Sequence, residues 1–379
     1  MTTPRILVNG SFRGQRITGQ QRYATEIASR LVARQGVRER DLSERAQKSA
    51  VLAWIGAQAV GLRRDSSERL VTLTSRGPII ERRHVVVVHD LFVLDNPEWY
   101  SKRYIATHAP VLRAQLRTAE LIVTVSDPVG DRVRALVGNG TRIVTVPNAP
   151  AEPFQPDLPD PALLSRYGLR RGGYIFAVSS QEPRKNLERL IAAHAQLPDN
   201  LRDAFPLVLA GGSSSIYAHS SDVDRRAADA GVIRLGYVDD SELARLYSAA
   251  ACVAFPSLDE GFGLPAVEAI ASAAEVVVSD IPVLRWVCGT DAHYADPLSV
   301  ASIANTLREA LESPASPSER RRRARAVRQR FSWEHSADTL YTAIAELTAA
   351  RTHNRVLPLR SPVSLPQDAP VRNRFDRAG

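Results

Sequence analysis

Residues 254–270 read AFPSLDEGFGLPAVEAI, in which an apolar strand end leads to an acidic residue, a Gly-Phe-Gly turn and Pro265. Proline is favoured in the first turn of a helix, because its missing N–H would be unpaired there anyway. The stretch therefore predicts a strand, a glycine turn and a helix in direct succession. Glycines let the backbone approach a ligand, and the free N–H groups of a helix start favour an anion such as a diphosphate.

Two carboxylates flank this turn. Glu260 precedes it, and Glu268 is predicted in the first turn of the following helix. Carboxylates are strong acceptors for paired hydroxyl donors, so the pair suits the hydroxyls of a sugar and a ribose. The alternative is a solvated Glu260 and a Glu268 that only complements the helix dipole. The combination with the glycines and Pro265 favours a ligand site.

The composition of the 379-residue chain is that of a globular protein with room for two domains, since 44% of residues are hydrophobic and 24% charged. Cys252 and Cys288 form no metal-spacing pattern and indicate a reducing cytoplasm. We expect neither a secretory signal nor a membrane span. The net charge of +8 comes without the motifs of nucleic-acid modules, so we predict no nucleic-acid partner. It suits polyanionic nucleotides or an anionic leaflet.

Short β-branched runs alternate with amphipathic segments, which predicts an α/β fold with parallel sheets. The strand candidates begin at Arg5, Val51, Leu70, His84, Leu121, Arg142, Tyr174, Pro206, Val232, Cys252 and Glu275. Predicted helices include 186–196, 240–250 and 265–272, while the charged segment 34–50 is expected to be an exposed helix or loop. The proline-rich stretch 151–161 has the composition of a linker between two halves. Ligands of such sheets lie at the carboxyl ends of the strands.

The segment E-G-F-G-L-P-A-V-E-A resembles the donor-site signature of retaining GT-B glycosyltransferases of family 4, the glycosyl transferases group 1. The resemblance implies two facing Rossmann-like domains with a cleft between them. Residues 1–152 would then form the acceptor-binding domain and 153–330 the nucleotide-sugar-binding domain. Residues 331–351 would cross back to the first domain as a helix, and 352–379, rich in Arg and Pro, would be a disordered tail.

The same resemblance assigns roles in donor binding. Glu260 would bind hydroxyls of the transferred hexose, and Glu268 would hold the ribose of the nucleotide. The remaining donor-binding positions are Gly261, Phe262, Gly263 and Leu264 in the turn, Gly19 near the donor phosphate or the acceptor, Gly212 near the nucleotide, and Tyr237 and Val238 beside the base.

Two further motifs carry the candidate catalytic residues. Arg184 and Lys185 of E-P-R-K-N stand between a strand and a helix, where two cations suit a diphosphate, although such a pair is often only a surface feature. By resemblance they would stabilise the departing nucleoside diphosphate. His89 ends H-V-V-V-V-H-D-L and resembles the family's HD motif. It would bind a hydroxyl of the transferred sugar rather than act as a base, and a purely structural histidine is the alternative.

The chain departs from the family pattern at several places. Gln20 and Gln21 replace I-G of the loop motif T-G-I-G-R-Y, and Ser179 stands where some relatives have an arginine. Ala274 and Glu275 fall where relatives have a Gly-x-Pro turn. Asp222-Val223-Asp224 could hold a metal in another glycosyltransferase fold, but it looks like a helix cap, so we predict no metal and no cofactor.

The resemblance implies transfer of a hexose with retention. F-P-S-x-x-E-G-F-G-L-P with S-D-I-P-V-L-R resembles the bacterial mannosyltransferase branch, which favours GDP-mannose as donor, with a UDP-hexose as the alternative. The implied acceptor is a glycan, linked to a polyprenyl diphosphate in that branch. Segment 101–117 would then help a cytoplasmic protein to sit on the inner membrane face, unless it only packs on its own domain. A catalytically degenerate nucleotide-sugar-binding protein, an epimerase and a phosphorylase are the rival classes.

Overall fold

The computed structural model describes residues 3–15, 18–42, 56, 65–75, 77–79, 81–156, 160–178, 182–211 and 227–353. Within these residues, strands and helices alternate as an α/β protein. The helices are α1 Gly19–Val32, α2 Phe92–Asp95, α3 Lys102–Thr118, α4 Asp127–Val137, α5 Pro161–Arg166, α6 Leu187–Ala195, α7 Asp199–Ala204, α8 Asp240–Ala249, α9 Leu264–Ala271, α10 Pro282–Cys288, α11 Val300–Glu312, α12 Pro317–Arg330 and α13 Trp333–His353. None of the helices in this part of the chain is long and apolar enough to cross a bilayer.

The described strands form two parallel sheets of six. The first has the order β2-β1-β3-β4-β5-β6, and its strands are β1 Ile6–Asn9, β2 Val37–Arg40, β3 Arg69–Thr72, β4 His84–Val88, β5 Leu121–Thr124 and β6 Arg142–Thr145. The second has the order β12-β11-β10-β7-β8-β9, and its strands are β7 Ile175–Val178, β8 Leu207–Ala210, β9 Ile233–Gly236, β10 Cys252–Phe255, β11 Val276–Ser279 and β12 His293–Ala295. The predicted α/β class with parallel sheets is confirmed.

The strand order decides where a ligand can bind. In the second sheet the order reverses between β7 and β10, which pair in parallel. A crevice opens at such a switch point, because the loops after the two strands lead to opposite faces of the sheet. The loop after β7 carries E-P-R-K-N and the loop after β10 carries E-G-F-G. The first sheet reverses between β1 and β3, so the loop after β1 opens towards the same cleft.

The core explains why these runs become strands. Every residue of β1, β3, β4 and β5 is buried in the first sheet, as is every residue of β8, β10 and β11 in the second. Helices cover both faces of such sheets, so their strands read as continuous apolar runs rather than as alternating ones. This is the pattern from which most of the strands were predicted.

Segment 34–50 was predicted wrongly in part. Residues Val37–Arg40 form β2, an edge strand that pairs with β1, rather than an exposed helix or loop. The sequence VRER gives no apolar run because its side chains are half-exposed, and the pairing depends on backbone hydrogen bonds. The short strand β12 was also missed. The predicted strand from Val51, the D-V-D triplet at 222–224 and the tail 354–379 lie outside the described residues.

The proline-rich connection between the sheets is fixed to both of them. Phe154 is fully buried, its ring lies 6.0 Å from that of Tyr247, and the guanidinium of Arg22 lies 5.6 Å above it. Arg328 on α12 donates to the carbonyl of Phe154. Composition alone indicated a linker, but a buried phenylalanine makes this segment part of the core.

The last helix, α13, packs on α1 of the first sheet. The Trp333 ring meets Tyr23 edge-on at 5.9 Å, and the Tyr341 hydroxyl donates to the carbonyl of Gln35 at 3.1 Å. Ser336 Oγ donates to the carbonyl of Pro147 at 2.8 Å. The chain therefore returns to the first sheet after completing the second, which ties the two halves together.

The turn before β11 shows what replaces the Gly-x-Pro of the relatives. Ala273 has φ 59°, in the left-handed region that favours glycine. The N–H of Ala273 bonds to the carbonyl of Ile270, and that of Ala274 to Ala269, which is the Schellman ending of a helix. Glu275 is buried, and its carboxylate lies 2.7 Å from His293 Nε2 and accepts the N–H of Ala315 at 3.0 Å. Glu275 therefore ties β11 to β12 and to the start of α12.

We expect Ala273→Gly to stabilise the protein by about 1 kcal/mol, because glycine adopts φ 59° without the clash of a Cβ. Urea unfolding measures the change. Ala326→Gly, on the exposed side of α12, is the matched control and should destabilise by about 1 kcal/mol. A destabilising effect of Ala273→Gly would contradict this account of the turn.

Candidate active site

A cleft of about 1110 Å³ lies between the carboxyl ends of the two sheets. Its lining contains every described residue of the predicted site: Gly19, His89, Arg184, Lys185, Tyr237, Val238, Glu260, Gly261, Phe262, Gly263, Leu264 and Glu268. Gly212 and Ser179 lie outside the described residues. The structure thus brings together, around one cavity, motifs that are separated by as many as 249 positions between residues 19 and 268.

Three charged side chains form the centre of the second-sheet wall. Glu260 Oε1 accepts hydrogen bonds from Arg184 Nη1 at 2.6 Å and from Lys185 Nζ at 2.8 Å. Arg184 Nε also lies 2.7 Å from Glu182. Glu260 is only 5% exposed, so the alternative of a solvated carboxylate is wrong. The two predicted phosphate-binding cations and the predicted sugar-binding carboxylate therefore adjoin one another.

The backbone explains how the two motifs meet. Residues Pro183–Lys185 form a short 3-10 turn after β7, and Asn186 follows with φ 58°. The side-chain amide of Asn186 donates to the carbonyls of Pro256, at 2.9 Å, and Pro297, at 2.7 Å. The N–H of Leu258 bonds to the carbonyl of Arg184 at 2.7 Å. These bonds fasten the loop after β7 to the loop after β10, which is why the cations face Glu260.

Charge pairing governs the ionisation of this cluster. Burial alone would raise the pKa of Glu260, but the charges of Arg184 and Lys185 outweigh it and hold that pKa below its usual value. Burial, followed by the charge of Arg184, lowers the pKa of Lys185, and Glu260 opposes that shift. The carboxylate therefore stays ionised, and it holds two cations that an incoming anion can contact.

The Gly-Phe-Gly turn has a second role that the sequence does not reveal. A Cβ on Gly261 would lie 2.0 Å from the carbonyl oxygen of His89, which belongs to the first sheet. Ser126 Oγ, at the start of α4, donates to the carbonyl of Gly261 at 2.7 Å. Gly261 is therefore needed where the two halves touch. Phe262 points away from the turn, packing 5.2 Å from Phe331, and keeps the turn in place.

Helix α9 starts at this turn, with Gly263 as its N-cap at φ 85° and Pro265 in its first turn, as predicted. Glu268 lies one turn further along than predicted. Glycine is required at 263, because the left-handed conformation disfavours a Cβ and because Leu284 would lie 2.6 Å from that Cβ. Leu264 begins the helix at the cleft, where the predicted anion would meet free backbone N–H groups.

Arg22 is a site residue that sequence reasoning missed. Its guanidinium, on the first turn of α1, crosses the cleft and donates to Glu268 at 3.0 Å and to Asp240 at 2.6 Å. Burial raises the pKa of Glu268 to about 8, although Arg22 opposes this. The sequence did contain a signal for Arg22, because Arg22 and Tyr23 are the R-Y at the end of the altered loop motif. The partners of Arg22, however, lie 218 and 246 positions further along the chain.

His89 directly follows β4 and lines the cleft. Its Nε2 lies 2.8 Å from the carbonyl of Leu73, which can only accept, so Nε2 carries the proton and Nδ1 is the acceptor. Burial lowers the pKa of His89 to about 4, against the smaller effect of this hydrogen bond. The ring is therefore neutral near pH 7 and suited to accept a hydrogen bond from a hydroxyl.

The low pKa of His89 predicts a loss of stability in acid. A histidine whose folded pKa is depressed contributes stability that is present above its unfolded value of 6.5 and is lost as the pH falls through about 4. The loss should reach roughly 3 kcal/mol. Urea unfolding between these pH values should show it in the wild type and much less in His89→Gln. His335→Gln, at an exposed histidine, should keep the wild-type dependence, and an identical profile for His89→Gln would contradict the assignment.

Three other predicted residues, Gly19, Tyr237 and Val238, also line the cleft. Gly19 is the first residue of α1, and a Cβ there would meet no atom within 4 Å, so no protein contact among the described residues requires glycine. Tyr237 is 75% exposed and Val238 is buried beside it. These positions fit contact with a ligand, and their individual roles stay predictions.

The site can bind a polyanion and a polyol together. Arg184, Lys185 and the start of α9 provide positive charge and N–H donors, while Glu260, Glu268 and His89 provide hydroxyl acceptors. Among the described residues, no group of three or more His, Cys, Asp or Glu side chains could hold a metal ion.

Comparison with known proteins agrees with this geometry. Residues 170–330 match the family model described as glycosyl transferases group 1. The chain is 33% identical over 262 residues to O-antigen chain mannosyltransferase B of Escherichia coli, covering 67% of this chain and 68% of that protein. It is 31% identical over 281 residues to the serotype-specific mannosyltransferase WbdA of E. coli, covering 70% of this chain but only 33% of WbdA.

The fold has relatives among solved structures. Sucrose-phosphate synthase from Thermosynechococcus elongatus superimposes with a TM-score of 0.69 at 20% identity, covering 92% of this chain and 100% of that one. At this identity the likeness concerns the fold alone, and it confirms the GT-B architecture. The family model and the relative that aligns along most of its length identify the chemistry as glycosyl transfer. The chain is a glycosyltransferase and belongs to the glycosyl transferases group 1 family.

Proposed function

We propose that the protein transfers mannose from GDP-mannose, with retention, to a hydroxyl of a glycan or lipid-linked oligosaccharide in the synthesis of a surface polysaccharide. The cluster of Arg184, Lys185 and Glu260 at the switch point of the second sheet carries the proposal. Both relatives are named as mannosyltransferases, which supports the choice of mannose, and the name O-antigen chain mannosyltransferase B supports a polysaccharide product. A UDP-hexose donor remains the alternative.

In the proposed reaction the leaving group supplies the driving force. The bond from the anomeric carbon to the diphosphate oxygen breaks, and its electron pair leaves with the diphosphate. The acceptor oxygen forms the new bond on the same face of the sugar, and its proton passes to the departing phosphate oxygen. Negative charge thus grows on the phosphate, where preorganised cations stabilise the transition state more than the ground state. Arg184, Lys185 and the N–H groups before α9 would serve that purpose.

The remaining site residues would orient the donor. Glu260 would exchange part of its contact with the cations for hydroxyls of the hexose as the diphosphate arrives. Glu268 would accept from the ribose hydroxyls while Arg22 holds its other side. His89, neutral and with Nδ1 as acceptor, would bind a hydroxyl of the transferred sugar. A general base on the opposite face is not required by a transfer with retention.

A thermal-shift comparison of nucleotide-sugars tests the donor. GDP-mannose at about a hundredfold excess over its Kd should stabilise the folded protein by about 2.7 kcal/mol, whereas UDP-glucose should not. GDP and UDP serve as controls for the base. A shift with UDP-glucose alone would replace GDP-mannose by the alternative. A shift with neither would contradict both proposed donors, and an inverted anomer in the product, read by NMR, would overturn retention.

The acceptor proposal includes contact with an anionic membrane. Helix α3 contains no acidic residue, and the helical period places its exposed cations on one side of the helix: Lys102, Arg103, Arg113 and Arg117. Each basic residue near an anionic surface contributes about 1 kcal/mol of attraction. The opposite side of α3 packs on the first sheet, which fits the packing interpretation of segment 101–117, and contact with a membrane is proposed for the exposed side alone.

We expect Arg113→Glu/Arg117→Glu to reduce co-sedimentation with phosphatidylglycerol vesicles at least tenfold. Arg321→Glu/Arg325→Glu makes the same change of charge on the exposed side of α12 and is the matched control. An equal loss in both variants would indicate attraction by net charge alone and would contradict docking through α3.

A further inference from the structure

One arginine of the first half binds two carboxylates of the second. Arg22 donates through Nη1 to Glu268 Oε1 at 3.0 Å and through Nη2 to Asp240 at 2.6 Å, and all three residues line the cleft. We infer that Arg22 is a positioning residue of the donor site, which holds Glu268 in the orientation that accepts the ribose hydroxyls. The ribose site is then complete only when both halves are together. The inference rests on the proposed binding of the donor ribose by Glu268.

The surroundings of Arg22 fix its place before a ligand arrives. The next residue, Tyr23, is fully buried, and its hydroxyl donates to the carbonyl of Val146 at 3.3 Å. The guanidinium of Arg22 lies 5.6 Å above the ring of Phe154, in the connection between the sheets. The Arg22 side chain is only 14% exposed. A side chain that is already ordered loses little conformational entropy when a ligand binds, which favours a role in preorganisation.

The contact determines what Glu268 offers to a ligand. Arg22 bonds to Oε1, so among the described residues Oε2 is the oxygen of Glu268 that is left for hydroxyls in the cleft. The cluster combines two carboxyl groups with one cation, so it has no positive charge to spare for a phosphate, whether or not Glu268 carries a proton. A neutral diol suits such a cluster better than an anion does.

The charge of Arg22 acts in the same direction. Burial raises the pKa of Glu268 to about 8, Arg22 and Lys185 oppose the rise, and Asp240 adds to it. Removal of Arg22 would therefore raise this pKa further. A carboxyl group that keeps its proton has fewer acceptor sites than an ionised carboxylate, and two adjacent hydroxyls need acceptors.

A second arginine provides a matched control. Arg132, on α4 of the first half, donates to Asp259 of the second half at 2.8 Å and to Asp95 of its own half at 3.1 Å. Arg132 therefore also joins the two halves, but through carboxylates other than Glu268. If Arg22 only held the halves together, both arginines would affect nucleotide binding in the same way.

Isothermal titration calorimetry with GDP and with 2′,3′-dideoxy-GDP, which lacks both hydroxyls, measures the ribose contribution without turnover. The dideoxy compound should bind the wild type roughly 30-fold more weakly, as expected for lost hydrogen bonds to a charged group. In Arg22→Gln the difference should fall below about threefold, because Glu268 is no longer held in place. Arg22→Lys keeps the charge without the fork that reaches two carboxylates and should give an intermediate difference. Arg132→Gln should keep the wild-type difference.

The outcomes separate this inference from the proposed function. UDP and its dideoxy analogue are measured in parallel, so an error in the proposed base leaves the readout intact. The wild-type difference in Arg22→Gln, or an equal loss in Arg132→Gln, overturns the inference. If circular dichroism shows that Arg22→Gln is unfolded, the wild-type difference in Arg22→Lys overturns it instead. A loss in Glu268→Gln but not in Arg22→Gln leaves the ribose contact standing without the positioning role, and equal binding of both compounds by the wild type removes both.

Discussion

Lys185→Ala should lower kcat by about 10²- to 10³-fold, the loss that accompanies removal of one preorganised group aimed at developing charge. The ammonium is almost fully buried, lies 4.5 Å from the centre of the Phe255 ring and contacts Glu260. The position of the ammonium is therefore fixed before the donor binds. A water molecule in its place would not supply the positive charge. The measurement is kcat at saturating GDP-mannose with a mannobiose acceptor.

The control removes a cation at a position far from the cluster. Arg134→Ala removes an exposed cation from α4 and should retain wild-type kcat. Lys185→Arg, which keeps the charge with a different shape, should recover part of the loss. A near-normal kcat in Lys185→Ala, with an unchanged unfolding temperature, would remove Lys185 from the reaction and with it the proposed role of the E-P-R-K-N motif.

Gly261→Ala should lower kcat/KM by about 10²-fold, although each half keeps its own core. The added Cβ would lie 2.0 Å from the His89 carbonyl and 3.0 Å from its carbon, and both atoms belong to backbone that cannot rotate away. The two halves must then separate, which displaces Glu260 from His89 across the cleft. A misplacement of about 1 Å costs an enzyme on the order of a hundredfold.

A graded comparison isolates the contact between the halves. Ser126→Ala removes the 2.7 Å hydrogen bond to the Gly261 carbonyl without adding an atom, so its effect should be smaller. Circular dichroism and donor thermal shift separate lost packing from lost folding. Wild-type kcat/KM in Gly261→Ala would show that the halves can part here without harm, and that Gly261 serves only the donor.

Local patterns predicted most of the elements and the two donor motifs, because strand, turn and helix signals lie within a few residues of one another. Pro265, the helix after Asn186 and the apolar strands depend on such short-range causes. Local patterns did not predict strand β2, because an edge strand with the sequence VRER pairs through its backbone and needs no apolar run. Ala273 likewise adopts a glycine conformation that its own sequence gives no reason to expect.

The family resemblance, the α/β class and the residues proposed to carry the chemistry can all be read from the sequence. Their pairing depends on the tertiary structure, which places Lys185 against Glu260, Arg22 against Glu268 across the cleft, and Gly261 against the backbone of His89. Charges and close contacts depend on distance in space, and the parallel strands that bring these residues together are far apart along the chain.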